Sequence, residues 1–187
     1  MLTNSPKKND ILKAMYDLRK KVKKNDNVII FYAGHGNWSE EEDRGWWMPS
    51  DYIPEYEGNS IGNAEIVKQI ELIKSKHTLL ISDACFSGGV FKETRSGKIA
   101  SKSITKKYGL TSRRAMTSGN LKEVPNESVF LKFLIKRLTE NQKNYLPASR
   151  LFISLEDAVI NNTDNTPRYG PIFGAGDEGG DFIFVKN

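Results

Sequence analysis

The sequence is poor in the residues that build cross-links and metal centres. Of its 187 residues, one is cysteine and two are histidine. A single cysteine cannot form a disulfide within the chain, which favours a reducing compartment, and we expect a cytoplasmic protein. No cluster of cysteine and histidine suits zinc, and the acidic run at residues 39–43 lacks the alternating spacing of a calcium loop. We therefore expect no metal and no other cofactor.

Long apolar runs are also missing. No stretch reaches about 18 apolar residues, the length that a membrane span needs, and residues 1–10 lack the apolar core of a secretory signal. Apolar residues make up 38% of the chain, as in folded proteins rather than disordered ones. The length suits one domain with a substantial core, so we expect a single domain over residues 1–187.

The charge balance excludes little. Lysine and arginine outnumber aspartate and glutamate by 28 to 23, a net charge of +5. The lysines cluster in a predicted surface helix and in one loop, without interleaved aromatic residues. We therefore expect neither nucleic acid nor a membrane surface as a partner.

Two short apolar runs predict buried strands. Residues 28–33 (VIIFYA) and 78–82 (TLLIS) are continuous and rich in β-branched residues, as in strands buried on both faces. Apolar positions three or four residues apart predict a helix before each strand, over residues 9–24 and 65–76. This alternation predicts an α/β fold with a mostly parallel sheet flanked by helices.

The remaining segments are less regular. Residues 36–64 are polar and are assigned no strand or helix, and residues 86–113 are basic and glycine-rich, typical of a functional or irregular segment. Regular structure is expected to resume at residues 114–118, followed by helices over 127–138 and 147–160 and a closing strand over 181–185.

Both predicted strands end in turns with reactive side chains. GHG follows the first strand at residues 34–36, and DACFSGG follows the second at residues 83–89. Ligands of open α/β sheets bind beyond the carboxyl ends of the strands. A nucleophilic thiolate needs a nearby base, and histidine titrates near neutrality, so Cys85 and His35 are a candidate pair. The alternatives are a small buried apolar role for Cys85 and a solvated turn for His35.

The second histidine, His77, lies between a lysine-rich helix end and a strand. A histidine at this position interacts favourably with the last carbonyl groups of the helix. We therefore expect a structural role for His77.

Five short motifs resemble the caspase superfamily, especially its metacaspase and bacterial caspase-like branch. They are YAGHG at 32–36, WMPSD at 47–51, SDACFSGG at 82–89, MTSG at 116–119 and GGDFIFV at 179–185. His35 stands 50 residues before Cys85, similar to the caspase spacing of about 50. The resemblance covers nearly the whole chain and implies a caspase-like three-layer sandwich. It divides the chain into a large-subunit-like part (1–90), a basic linker (91–113) and a small-subunit-like part (114–187).

The resemblance also implies residue roles. Cys85 and His35 would form the catalytic dyad of a cysteine endopeptidase, and the backbone N–H groups of Gly36 and Cys85 would form the oxyanion hole. Asp83 stands where caspases that cleave after aspartate have glutamine, whereas metacaspases resemble this chain and cleave after basic residues. We therefore expect a protein or peptide substrate with Arg or Lys before the scissile bond. The alternative for Asp83 is a carboxylate that accepts backbone N–H groups at the turn.

The basic linker is the region where caspases separate their subunits. An enzyme that cleaves after basic residues has candidate autocleavage sites there. They are Arg95, Lys98, Lys102, Lys106 and Lys107. The alternative is a solvated loop.

The chain departs from the resembled family at its start. Caspase-like domains begin with a strand, a helix and a second strand, and the resemblance begins near the end of that second strand, at Leu2. We expect an open sheet edge. Three explanations stay open: the sequence is a truncated piece, its start is misassigned, or a separate chain supplies the missing strands. The rival hypothesis is a catalytically silent caspase-like module that binds a protein partner, and a weaker one is an acyl hydrolase with a non-peptide substrate.

Overall fold

Helices and strands alternate along the chain. A computed structural model describes residues 5–84, 91, 104–119 and 128–186. The helices are α1 (Lys8–Lys21), α2 (Asn63–Leu72), α3 (Ile104–Gly109), α4 (Val129–Thr139) and α5 (Ala148–Ile160). The strands are β1 (Asn27–Ala33), β2 (His35–Ser39), β3 (Arg44–Met48), β4 (Ile61–Gly62), β5 (His77–Asp83), β6 (Ser112–Thr117), β7 (Tyr145–Pro147), β8 (Arg168–Pro171) and β9 (Ile183–Val185). Within this described part, no helix has the length and apolar character needed to cross a bilayer.

The central sheet has the strand order β1-β5-β6-β8. The first three strands are parallel, and β8 runs antiparallel to β6. The interior strand β5 is buried at every position, as its continuous apolar sequence predicts. The mostly parallel sheet expected from the two apolar runs is confirmed.

Helices cover both faces of this sheet. One core, on the side of α1 and α2, includes Ile11, Met15, Val28, Ile66, Ile70 and Leu80. The second core, on the side of α4 and α5, includes Leu79, Ile81, Met116, Phe130, Leu134, Leu151 and Leu155. Leu79 and Leu80 belong to different cores because successive side chains of a strand point to opposite faces. The expected arrangement of a sheet between two helical layers is confirmed.

The outer strand β1 leaves one edge of the described sheet open. The N–H of Gly34 donates to the carbonyl of Asp83 at 3.4 Å, so the even-numbered residues of β1 face β5. Because backbone groups alternate along a strand, those of Ile29 and Phe31 point away from β5. The side chains of Ile29 and Phe31 are 47% and 48% exposed. This edge has the features expected of one that an additional strand completes.

Residues 36–64, for which no strand was predicted, contribute to an antiparallel sheet. Its strand order is β2-β3-β4. Trp46 and Trp47 of β3 are both buried, at 3% and 2% exposure. The three strands are short and show no alternation of apolar and polar residues, so the sequence did not predict them. The two buried tryptophans anchor the sheet.

The second half of the predicted linker is regular, so the expectation of irregular structure up to residue 113 is wrong there. Helix α3 occupies part of it, and β6 begins two residues before the predicted start. The ring of Tyr108 lies 4.6 Å from that of His77, and its hydroxyl accepts a hydrogen bond from Asn27 at 3.3 Å. The ammonium group of Lys107 lies 3.8 Å from Asp181. These partners are distant in sequence, so local composition gave no indication of the helix.

The C-terminal part also differs from the prediction. Strand β8, which completes the central sheet, was not predicted, and β9 pairs with β7 rather than with the central sheet. Asp181 precedes β9 and is buried, with hydrogen bonds from the N–H and hydroxyl groups of Ser149 and from the hydroxyl of Tyr169. Its carboxylate caps the first turn of α5, where the helix dipole favours a negative charge.

Arg113 takes the structural role that the sequence suggested for His77. Its guanidinium group donates to the carbonyl oxygens of Ile73 and Ser75, both at 2.9 Å, just beyond the end of α2. Burial lowers the pKa of Arg113, while Asp177 and Glu178 oppose this effect. The interpretation of His77 as a partner of the helix carbonyls is wrong, because its ring packs against Tyr108 instead.

We predict that His77 makes stability depend on pH. Burial, followed by the positive charges of Lys76 and Arg113, lowers the pKa of His77, and neighbouring Tyr108 and Asp181 only oppose this. The unfolded chain therefore binds the proton more readily. The free energy of unfolding should decrease as the pH falls below about 6.5, the ordinary histidine value.

Urea unfolding between pH 7.5 and 5.5 tests this prediction. His77→Phe keeps a ring beside Tyr108 but cannot be protonated, so its stability should change less with pH than that of the wild type. His35→Gln, at the exposed histidine, is the matched control and should retain the wild-type slope. Equal slopes in the wild type and His77→Phe would contradict the prediction.

Candidate active site

The parallel pairing of β1 and β5 brings the two reactive turns to the same edge of the sheet. Ala33, the last residue of β1, pairs with Asp83, the last residue of β5. His35 follows the first strand by two residues, and Cys85 follows the second by two residues. Cys85 itself lies outside the described residues. The register therefore supports the predicted juxtaposition through the strand ends.

His35 begins the short strand β2 and is exposed. It pairs with Met48 of β3, so the hairpin fixes its backbone. Its carbonyl also accepts a hydrogen bond of 2.6 Å from the hydroxyl of Tyr32. Among the described residues, no side chain forms a hydrogen bond with the imidazole of His35. Backbone contacts therefore hold His35 in place, and its side chain is exposed to solvent.

Gly36, the predicted oxyanion-hole residue, lies next to His35 in the same strand and pairs with Trp47. Its position fits a role beside a reacting carbonyl because it immediately follows the candidate base. The second predicted donor, the N–H of Cys85, lies outside the described residues. The oxyanion hole stays a prediction.

Asp83 is buried at the end of β5, with 4% exposure. Its Oδ1 atom has no hydrogen-bond partner within the described part of the chain. Asp83 lines a small cleft with polar and apolar neighbours. The other lining residues are Ser118, Ser128, Val129, Phe130, Val159, Thr163 and Asn165. The cleft has a volume of about 10 Å³, room for about one water molecule, so a long cationic side chain would reach Asp83 only after the cleft widens. The apolar walls would then pack on the aliphatic stem.

Further polar groups accumulate at the same ends of β5 and β6. The hydroxyl groups of Ser82, Thr117 and Ser118 are buried, and none of the residues that the structure describes forms a hydrogen bond with them. Ser82 pairs with Thr117 across the two strands, and the N–H of Ser118 donates to the carbonyl of Ser82 at 3.0 Å. Unpaired buried polar groups cost free energy and concentrate at functional sites. Unpaired groups alone do not identify the site, because His77 and Ser112 carry them at the other end of the same strands. The carboxyl end is the candidate site because ligands of α/β sheets bind there and Asp83 lines a cleft beside this cluster.

Several lining residues of the cleft were not proposed from the sequence as site residues. Ser118 follows the next parallel strand, so the rule that ligands bind beyond strand ends would have identified it. Thr163 and Asn165 follow α5 and line the cleft only in the folded chain. No short-range pattern in the sequence indicates that these two residues lie near Asp83.

The described basic residues of the predicted autocleavage region, Lys106 and Lys107, lie away from this site. Arg95, Lys98 and Lys102 lie outside the described residues. Lys106 and Lys107 lie in α3, whose Tyr108 packs on His77, the first residue of β5. Asp83 is the last residue of that strand, about 20 Å away at the usual rise per residue. The two helical lysines therefore lie at the opposite edge of the sheet.

Within the acidic run at residues 39–43, Glu42 forms an ion pair with Arg44. The guanidinium group of Arg44 also lies 2.8 Å from Glu57. Among the residues that the structure describes, no three Cys, His, Asp or Glu side chains are grouped as metal ligands. The expectation that no metal is required stays a prediction.

Comparison with known proteins assigns the family. The crystal structure of protein GSU0716 from Geobacter sulfurreducens is similar, with a TM-score of 0.55 and 13% sequence identity over 88% of this chain and 73% of that one. At this identity, the likeness shows the fold alone. No curated protein matches the sequence. The caspase domain, a peptidase family, matches residues 1–169 of this chain. With nearly its whole length matched by this family, the chain belongs to the caspase domain family.

Proposed function

We propose that the protein is a cysteine endopeptidase in which Cys85 is the nucleophile and His35 its acid/base partner. The observation that carries this proposal is the register of Ala33 with Asp83, by which β1 and β5 end at the same level, two residues before His35 and Cys85. Membership of a peptidase family supports the same chemistry. His35 is exposed at the sheet edge and therefore accessible to a substrate.

The proposed reaction proceeds through an acyl-enzyme. The Cys85 thiolate attacks the peptide carbonyl, and the N–H groups of Gly36 and Cys85 stabilise the oxyanion of the tetrahedral intermediate. His35 donates a proton to the leaving amine as the C–N bond breaks. It then removes a proton from water, which attacks the thioester and releases the carboxylic acid and the Cys85 thiol.

The proposed substrate has arginine or lysine before the scissile bond. Asp83 supplies a negative charge beside a cleft with apolar walls formed by Val129, Phe130 and Val159. A cationic side chain of the substrate would pair with this carboxylate, and an acidic one would be repelled. The hydroxyl of Ser118 offers a further acceptor in the same cleft.

The open edge of β1 supports a further part of the proposal, completion of the sheet by an additional strand. Ile29 and Phe31 expose apolar surface beside outward-facing backbone groups. An extended segment with apolar side chains would cover both features. A separate chain as the source of that segment, and the cytoplasmic location, stay predictions.

The dyad predicts cysteine-dependent cleavage of short peptides. Fluorogenic peptides ending in Arg or Lys should be hydrolysed, and Cys85→Ala and His35→Ala should each lower kcat by about a thousandfold or more because each removes a reacting group. An arginine peptide with a thiol-reactive group should label Cys85 in the wild type. A folded protein that neither cleaves these peptides nor reacts with the probe would instead support the silent binding module. Cysteine-independent turnover of non-peptide esters would support the acyl hydrolase.

The cleft predicts that Asp83 determines specificity. Asp83→Asn keeps the side-chain shape but removes the charge, so kcat/KM for Arg and Lys peptides should fall by about 30-fold or more. Asp157→Asn, at an exposed position of α5, is the matched control and should retain wild-type selectivity. Wild-type selectivity in Asp83→Asn, or cleavage by the wild type only after aspartate, would refute the role of Asp83.

Autoprocessing in the basic linker is proposed at Arg95, Lys98 or Lys102. A peptidase binds its substrate as an extended segment, and Lys106 and Lys107 would first have to leave α3. Intact-mass analysis should show two pieces of the wild type and one whole chain of Cys85→Ala. Replacing the first three residues by glutamine should prevent cleavage, whereas replacing Lys106 and Lys107 should not. A wild-type chain that stays whole would refute processing.

A further inference from the structure

We propose that Tyr32 is a positioning residue for His35, with Trp47 as its support. This inference rests on the proposed function of His35 as the acid/base group. Tyr32 reaches forward over the turn from the end of β1 and binds the backbone of His35. The aromatic pair of Tyr32 and Trp47 thereby connects the buried core to the candidate base.

The first contact is a hydrogen bond to the peptide of His35. The hydroxyl of Tyr32 donates to the carbonyl oxygen of His35 at 2.6 Å, which is within the usual range for a bond between two oxygen atoms. The bond joins Tyr32, near the end of β1, to His35, the first residue of β2. It therefore restrains the peptide plane from which the His35 side chain projects.

The second contact fixes the ring of Tyr32. It stacks on the indole of Trp47, with ring centroids 3.8 Å apart and planes inclined by 20°. Trp47 is 2% exposed and belongs to the core between the sheet and helices α1 and α2. Trp47 also pairs with Gly36 across β2 and β3. It therefore contacts the chain on both sides of His35, through Tyr32 before it and Gly36 after it.

Gly34 leaves the space that the tyrosine occupies. A Cβ atom at this position would lie 2.9 Å from the hydroxyl oxygen of Tyr32 and 3.0 Å from its Cζ atom. Any other residue would push the hydroxyl away from the carbonyl of His35. Tyr32, Gly34 and His35 therefore form one structural unit.

Such a restraint matters because the described residues provide no side-chain restraint on the imidazole. In many catalytic sites a third side chain orients the base. Among the described residues, none forms a hydrogen bond with the ring of His35. Orientation of the base then depends on its backbone, and a displacement of about 1 Å can lower a rate by about a hundredfold.

Tyr32→Phe tests the inference, because it keeps the stacked ring and removes only the hydroxyl. We expect kcat for an arginine peptide to fall by about tenfold, with KM within about twofold of the wild type, because the base is displaced and the cleft is unchanged. Tyr145→Phe, at a tyrosine that is 56% exposed, is the matched control and should have wild-type kinetics. A purely structural role would change the urea midpoint without lowering kcat.

A second readout does not require peptidase activity. His35 and His77 are the only histidines, so the Cε1–H region of the NMR spectrum of the untagged protein contains two histidine signals. Tyr32→Phe should shift the signal of His35, assigned with His35→Gln, and leave that of His77 in place. Gly34→Ala, which moves the same hydroxyl, should shift the same signal.

The two readouts separate the inference from the proposed function. Wild-type kcat together with an unshifted His35 signal in Tyr32→Phe would overturn the positioning role. If the wild type shows no turnover that depends on Cys85, the proposed function fails. The NMR shift alone then decides whether Tyr32 positions the residue, and an unshifted signal overturns the inference.

Discussion

The site depends on the parallel pairing of β1 with β5. A parallel pair brings the carboxyl ends of two strands to one edge, and the register of Ala33 with Asp83 makes both strands end at the same level. A shift of one residue would move the turn after β1 relative to the turn after β5 and would exchange the faces of the β1 side chains. The side chains of β1 oppose such a shift, because Val28 is buried in the core beside α1 and α2 whereas its neighbour Ile29 is half exposed. The apolar packing of the sheet therefore determines where the reactive turns lie.

The elements that position the site were predictable because their information is local. The apolar runs of β1 and β5 and the spacing in α1 and α2 identified them within a few residues of their bounds. The antiparallel sheet around Trp47, helix α3 and strand β8 were missed because partners distant in sequence stabilise them. The cleft shows the same division. Asp83 was predicted from its motif, whereas Asn165 joins the cleft only through the position of the segment that follows α5.

Both ends of β5 hold buried polar groups that have no hydrogen-bond partner among the described residues. At the amino-terminal end these groups include both ring nitrogens of His77, although the guanidinium of Arg113 donates to several carbonyl oxygens. At the carboxyl end they are an oxygen of Asp83 and the hydroxyls of Ser82 and Ser118. Each such group costs about 1–3 kcal/mol, so the unpaired groups alone do not distinguish the two ends. The surroundings do, because the ring of His77 packs on Tyr108 of α3, whereas Asp83 lines a cleft.

Contacts with the small-subunit-like part explain why α3 can remain attached if the linker is cleaved before it. Lys107 lies beside Asp181, and Asp181 also binds Ser149 and Tyr169. The helix therefore contacts the small-subunit-like part, near the amino-terminal end of β5. The N–H of Gly180 donates to the carbonyl of Thr111, which adds a backbone contact just beyond α3. A cut before α3 would break none of these contacts. The strands β5 and β6 would also stay paired, because a cut in the linker removes chain connectivity but none of the ladder bonds that align Ser82 with Thr117.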